Sequence, residues 1–203
     1  MATICIFGDS IAWGAVDPDG GGWATRLRNY FESHGLPINQ DTDVYNLGVS
    51  GNNTDDLVIR FSVELKAREA TFVIFAIGIN DSQFVIPENK NRVSVERFRA
   101  NLETMIAEAK NVGCGVALVG LTRVDESKTT PIPWNADKKY INADIEKYDQ
   151  VLKDIADKEK LLYVDMNKTL SRDDLYDGLH PNTAGHKKIF EKIKEFLLDQ
   201  KPA

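Results

Sequence analysis

A three-layer α/β/α sandwich around a five-stranded parallel sheet is the fold class that the sequence predicts, on three observations. Five short apolar runs of strand length alternate with five amphipathic helical patterns; the runs are nearly continuous in apolar residues; and no internal repeat or low-complexity linker breaks the rhythm. A continuously apolar strand is buried on both faces, so helices must cover both, and parallel neighbours need helix-length crossovers.

The strand-like runs are residues 3–7, 44–49, 71–78, 115–121 and 161–166. After the first, Trp23, Leu27, Tyr30 and Phe31 recur at helical spacing. After the second, Thr54 is expected as the N-cap, with Asp55 and Asp56 in the first turn and Leu57, Phe61 and Leu65 on one face. Phe98, Leu102, Met105, Ile106 and Ala109 mark the third helix; Ile141, Ile145, Tyr148, Leu152 and Ile155 the fourth; Ile189, Phe190, Ile193, Phe196 and Leu197 the last, started by Asn182.

At 203 residues, with 42% apolar and 28% charged residues, the chain reads as one domain, 1–203, of an ordinary soluble protein. The net charge of −6, with no basic block, argues against nucleic acid as a partner. No stretch approaches a membrane span, and MATICIFGDS enters structure at once, so a chain native from Met1 is expected to be cytoplasmic. Cys5 and Cys114 read as reduced. Three histidines without ligand spacing predict no metal, and nothing predicts a cofactor. Gly20-Gly21-Gly22 lacks the lysine of a phosphate loop and is expected to be a flexible loop. No pattern reports an oligomeric interface.

In parallel sheets of this kind ligands sit beyond the carboxyl ends of the strands. Those ends carry Gly8-Asp9-Ser10, Asn46-Leu47-Gly48-Val49-Ser50-Gly51, Gly78-Ile79-Asn80-Asp81, the long segment 122–140, and Asp177-Gly178-Leu179-His180-Pro181. A serine attacks only if an imidazole takes its proton, and the imidazole needs an acceptor that sets its tautomer. Ser10, His180 and Asp177 have those chemistries, and the backbone N–H groups of Ser10 and Gly48 with the amide of Asn80 are the expected oxyanion donors.

Each residue also has a plainer reading. Ser10 alone reads as a cap, Ser50 and Asp81 as turn residues, and His180 alone as a loop hydrogen-bonding group. His186 is expected to pack or cap at the last helix, and His34 to lie at a helix end on the surface.

Taken together, GDSI at 8–11, NLGVSG at 46–51, GIND at 78–81 and DGLH at 177–180 resemble, in order and across nearly the whole chain, the four sequence blocks of the SGNH, or GDSL-type, esterase and lipase family. Ile11 stands where the family name has leucine. The resemblance implies flavodoxin-like strand order 2-1-3-4-5, a Ser10 nucleophile, the Asp177–His180 pair, and an oxyanion hole from Ser10, Gly48 and Asn80. In that order strands one and four are not neighbours, so no Cys5–Cys114 disulfide is expected.

The implied function is a serine esterase acting on small-molecule or lipid-like esters through an acyl-enzyme. Removal of acetyl groups from carbohydrate, or thioester cleavage, are alternatives at the same site; a non-catalytic flavodoxin-like module binding a small ligand is the alternative of another class. Ile11, Trp13, Val85, Ile86, Trp134 and Leu179 lie on carboxyl-end segments and either line a substrate pocket or cover the core. The 122–140 segment, long for a connection, is expected to form a lid or rim.

Overall fold

The computed structural model describes residues 2–34 and 42–199, so Met1 and the other remaining positions of the expected 1–203 domain lie outside the described residues. Along the chain run β1 (Ala2–Gly8), α1 (Ser10–Trp13), α2 (Gly22–His34), β2 (Thr42–Gly48), α3 (Thr54–Ala67), β3 (Phe72–Ala76), β4 (Phe84–Val85), β5 (Lys90–Asn91) and α4 (Val95–Asn111). There follow β6 (Gly115–Val119), α5 (Glu126–Thr129), β7 (Lys138–Lys139), α6 (Asn142–Glu159), β8 (Leu162–Val164), a 3-10 turn at Arg172–Asp174, and α7 (Thr183–Asp199).

The five apolar runs form one sheet in the order β2-β1-β3-β6-β8, every pair parallel. Counting its strands alone, that is 2-1-3-4-5. Alternation along β1 explains the two cores: Ile4 and Ile6 face α2 and α7 with Trp23, Leu27, Phe31, Ile189 and Ile193, while Cys5 and Phe7 face α3, α4 and α6 with Phe61, Phe98 and Tyr148. Cys5 and Cys114 are buried free thiols, with β3 between β1 and β6.

A second, three-stranded antiparallel sheet, β5-β4-β7, sits beyond the main one. Its strands are two residues each, too short to leave a hydrophobic period. Through it the 122–140 segment becomes an ordered rim, fastened by Phe84 opposite Lys139 and by Val124 N–H donating to Asn142 Oδ1 at 2.9 Å.

Two local expectations need correction. The cap of α3 is Asn53, not Thr54: Asn53 has extended backbone and its side chain accepts from Asp56 N–H, with Asp56 reciprocating in a capping box. Gly20 and Gly21 form a tied loop into the start of α2 at Gly22, since the Asp17 carboxylate accepts from Gly20 N at 3.2 Å and Gly22 N at 2.9 Å and pairs with Arg26. Asn182 does start α7, its Oδ1 accepting from Gly185 N at 3.0 Å. His186 is buried, with Nδ1 accepting from Trp23 N and Nε2 donating to the Ala15 carbonyl; His34 ends α2 at the surface.

Thr54 has another use. Its N–H and its hydroxyl both donate to Asp81, which lies in a turn as expected but as a wholly buried carboxylate. Burial pushes Asp81 up to about 7 and Asp9 up to about 6, from ordinary values of 3.8. The folded chain therefore holds protons that the unfolded chain has released, and both groups make stability fall as pH rises from about 4 through about 7. Asp81→Asn removes one of them, so its melting temperature should gain on that of the parent between about pH 5 and about pH 8. Thermal unfolding of both proteins at the two pH values checks this; a pH-independent difference would refute it.

Candidate active site

Three strand ends build the site. β1 runs out at Gly8, and Asp9 caps the one-turn helix α1, its Oδ1 accepting from Ile11 N–H at 2.9 Å. Ser10, the first residue of that helix, thus sits where backbone N–H groups lack intrahelical partners. Its Oγ lies 2.9 Å from His180 Nε2, and His180 Nδ1 lies 2.7 Å from Asp177 Oδ2.

The Asp177 loop is organised by its own carboxylate. Oδ1 accepts from the backbone N–H groups of Leu179 at 3.0 Å and His180 at 2.8 Å, leaving Oδ2 for the ring. Burial pushes the Asp177 carboxyl up, but donation from the His180 ring and backbone outweighs it and holds the group below its ordinary value. An ionised acceptor on Nδ1 fixes the proton there and leaves Nε2 to accept from the Ser10 hydroxyl. Gly178 takes φ +92°, and a side chain there would meet Lys128 Cβ at 2.7 Å. That close approach lets Asp125 N–H donate to the Gly178 carbonyl at 2.8 Å, tying the rim to the loop.

After β2 the chain makes a β-turn, with Asn52 N–H donating to the Val49 carbonyl at 3.0 Å and Gly51 at φ +81°. A positive φ at the third position is that of a type II turn, which favours glycine there. Arg92 holds the turn through the Gly51 carbonyl at 2.9 Å, and Asn80 Nδ2 holds it through the Asn52 carbonyl at 2.9 Å.

Ser10, Ser50, Gly51, Asn80 and His180 share one open cavity of about 470 Å³, walled also by Gln83, Arg92, Ile132, Trp134, Asn135, Lys138, Tyr140 and Leu179. Trp134 lies half-exposed with its ring 5.9 Å from that of His180. Of the expected pocket residues, Trp134 and Leu179 are on this wall and four are not. Ile11 lines a separate internal cavity of about 40 Å³ together with Asp9. Trp13 and Ile86 are exposed, and Val85 is drawn into the small sheet opposite Lys90 and Lys138.

Gly48 is not brought to the cavity either. Its N–H donates to Asn46 Oδ1 at 3.0 Å, and its α-carbon packs against the backbone of Asp9 and Trp13. Gly51, three residues on, is the glycine of this block that reaches the wall. The Ser50-Gly51 turn dipeptide was the signal for it. Gln83, Arg92 and Tyr140 had no such signal, because the short strands that deliver them carry none.

A family model described as GDSL-like Lipase/Acylhydrolase matches residues 6–188. An acetylxylan esterase of Geobacillus stearothermophilus is 28% identical over 201 residues, covering 90% of this chain and 88% of that protein. The crystal structure of the lipase/acylhydrolase from Enterococcus faecalis superposes with a TM-score of 0.79 at 24% identity, covering 100% of this chain and 99% of that one. A crystal structure of the Geobacillus stearothermophilus acetylxylan esterase gives 0.75 at 22% identity, with 98% and 95% covered.

Proposed function

The chain belongs to the GDSL-like lipase/acylhydrolase family of ester hydrolases, and on that premise we propose that Ser10 is its nucleophile, His180 its acid and base, and Asp177 the orienting carboxylate. The observation that carries this is the unbroken chain Ser10 Oγ, His180 Nε2, His180 Nδ1, Asp177 Oδ2, at 2.9 and 2.7 Å. Ser10 Oγ bonds to the ester carbonyl carbon as its proton passes to Nε2, and the carbonyl oxygen becomes an oxyanion. Collapse breaks the bond to the alkoxide, which leaves with the Nε2 proton. Water then attacks the acyl-enzyme with the same proton traffic, freeing the acid and restoring Ser10.

The oxyanion donors in this reading are the N–H groups of Ser10 and Gly51 and the Nδ2 of Asn80, with Gly51 in the place expected for Gly48. The whole chain, 1–203, is taken as one hydrolase domain, supported by the matched span. Cytoplasmic placement is proposed with it, supported by the free thiols of Cys5 and Cys114; among the described residues no helix is long and apolar enough to cross a membrane.

The cavity wall supports a small acyl group on a polar alcohol, such as an acetylated carbohydrate. Ser50, Arg92, Asn135 and Lys138 offer hydrogen bonds and positive charge, against Ile132, Trp134 and Leu179 as apolar surface. The acetylxylan esterase relative points the same way.

A fluorophosphonate probe should add once to the folded protein, with the adduct mapping to Ser10. Acetyl esters and acetylated xylo-oligosaccharides should then turn over faster than octanoyl esters or acyl thioesters. Absence of an adduct would favour the ligand-binding module, and faster octanoyl turnover would overturn the short-acyl reading. Trp134→Ala should change the acetyl-to-octanoyl ratio while leaving the melting temperature in place; an unchanged ratio removes Trp134 from the specificity wall.

A further inference from the structure

Asn80 has four hydrogen-bonding positions, and its neighbours dictate their use. Its Nδ2 donates at 2.9 Å to the Asn52 carbonyl, which can only accept. The amide orientation is thereby set, and Oδ1 must be the atom that meets Tyr140 Oη at 2.6 Å. The Tyr140 proton is spent on that bond. The phenol oxygen must then accept from its other neighbour, so Gln83 turns Nε2 toward it, at 2.7 Å. Donation runs one way, from Gln83 to Tyr140 to Asn80.

The alignment has a cost. Gln83 Oε1 is buried and finds no partner among the described residues, and an orphaned buried acceptor is destabilising. Reversing the amide would leave Tyr140 facing an acceptor and draw its proton away from Asn80. Both side chains are nearly inaccessible, and both are anchored by their backbones: Tyr140 N–H donates to the Thr129 carbonyl, and the Gln83 carbonyl accepts from Arg92 N–H. Burial also pushes the Tyr140 phenol well above its ordinary value, which keeps its proton in place.

We propose that Tyr140 and Gln83 are positioning residues for the reaction: they orient the Asn80 amide and, by donating into its Oδ1, strengthen its remaining Nδ2–H as a donor to the oxyanion. This rests on the reading of Asn80 as an oxyanion donor. The second N–H of the amide is the one left for substrate, and it becomes more positive as Oδ1 accepts. Neither Tyr140 nor Gln83 touches the reacting atoms.

The test is a double-mutant cycle on an acetyl ester, with kcat and KM read separately. Asn80→Ala should lower kcat on the order of 10² to 10³, the loss for one oxyanion donor. Tyr140→Phe keeps the ring and removes the proton; it should lower kcat on the order of tenfold with KM nearly unchanged. In the Asn80→Ala background Tyr140→Phe should cost almost nothing, because the group it positions is gone. Gln83→Glu is the second variant: when ionised it cannot donate, so it should turn the Tyr140 proton away and reproduce the Tyr140→Phe loss, with recovery as the carboxyl protonates at lower pH.

If Asn80→Ala leaves kcat intact, the oxyanion reading itself fails. If Asn80→Ala is costly but Tyr140→Phe changes only KM, or costs the same in both backgrounds, the positioning role is overturned and the oxyanion reading stands. Should Tyr140→Phe not fold, Gln83→Glu decides alone, and full activity of its ionised form would overturn the proposal.

Discussion

Ser10→Ala is expected to lower kcat on the order of 10⁶-fold, the scale seen when one member of a serine triad acting as a unit is removed. The fold should not notice. Among the described residues the one hydrogen bond of Ser10 Oγ is to His180 Nε2, whereas α1 is held by the Asp9 cap and by the Ser10 carbonyl, which accepts from Gly14 and Ala15 N–H. Alanine keeps that backbone and favours a helix. The expected result is an inert protein with the parent melting temperature and no fluorophosphonate adduct. Retention of more than a hundredth of the parental turnover would place the nucleophile elsewhere.

Asp177→Asn should cost on the order of 10⁴ in kcat through the tautomer it imposes. In the parent, Oδ1 accepts two backbone N–H groups and Oδ2 accepts the ring proton. Asparagine has one acceptor oxygen, and the two backbone donors claim it. Its NH₂ then faces His180 Nδ1, which must accept, so the ring proton moves to Nε2 and points at Ser10. The imidazole can no longer take the serine proton. Crystal geometry of the variant should match the parent while turnover collapses; a loss below tenfold would show that Asp177 serves the loop and not the ring.

The layered fold was legible because its signals are long. Residues such as Ile4 and Ile6, or Phe98 and Leu102, recur over whole elements, and the order of the five main strands follows the resemblance of the four blocks. The meeting of Ser10, Asn80, Asp177 and His180 was legible because each sits shortly after a strand end or in a compact loop. Gly48 misled because chain position was used where the turn decides: its N–H is taken by Asn46, while Gly51, at positive φ, lines the cavity. Val85 misled because β4 turns it into a sheet of two-residue strands. Gln83 and Tyr140 stayed hidden for the same reason, 57 positions apart in the chain and joined only by that pairing.

The proposed acid–base pair and nucleophile differ sharply in how far apart they lie along the chain. Asp177 and His180 are three residues apart, within a turn that their own backbone closes, whereas Ser10 and His180 are 170 residues apart. Contacts of the first kind form early and cheaply during folding; contacts of the second kind wait for the slow closure of nearly the entire polypeptide. A partly folded chain in which that closure has not happened thus holds the imidazole and the serine apart. On the proposed roles, hydrolysis begins only when the end of the first strand and the Asp177 loop meet.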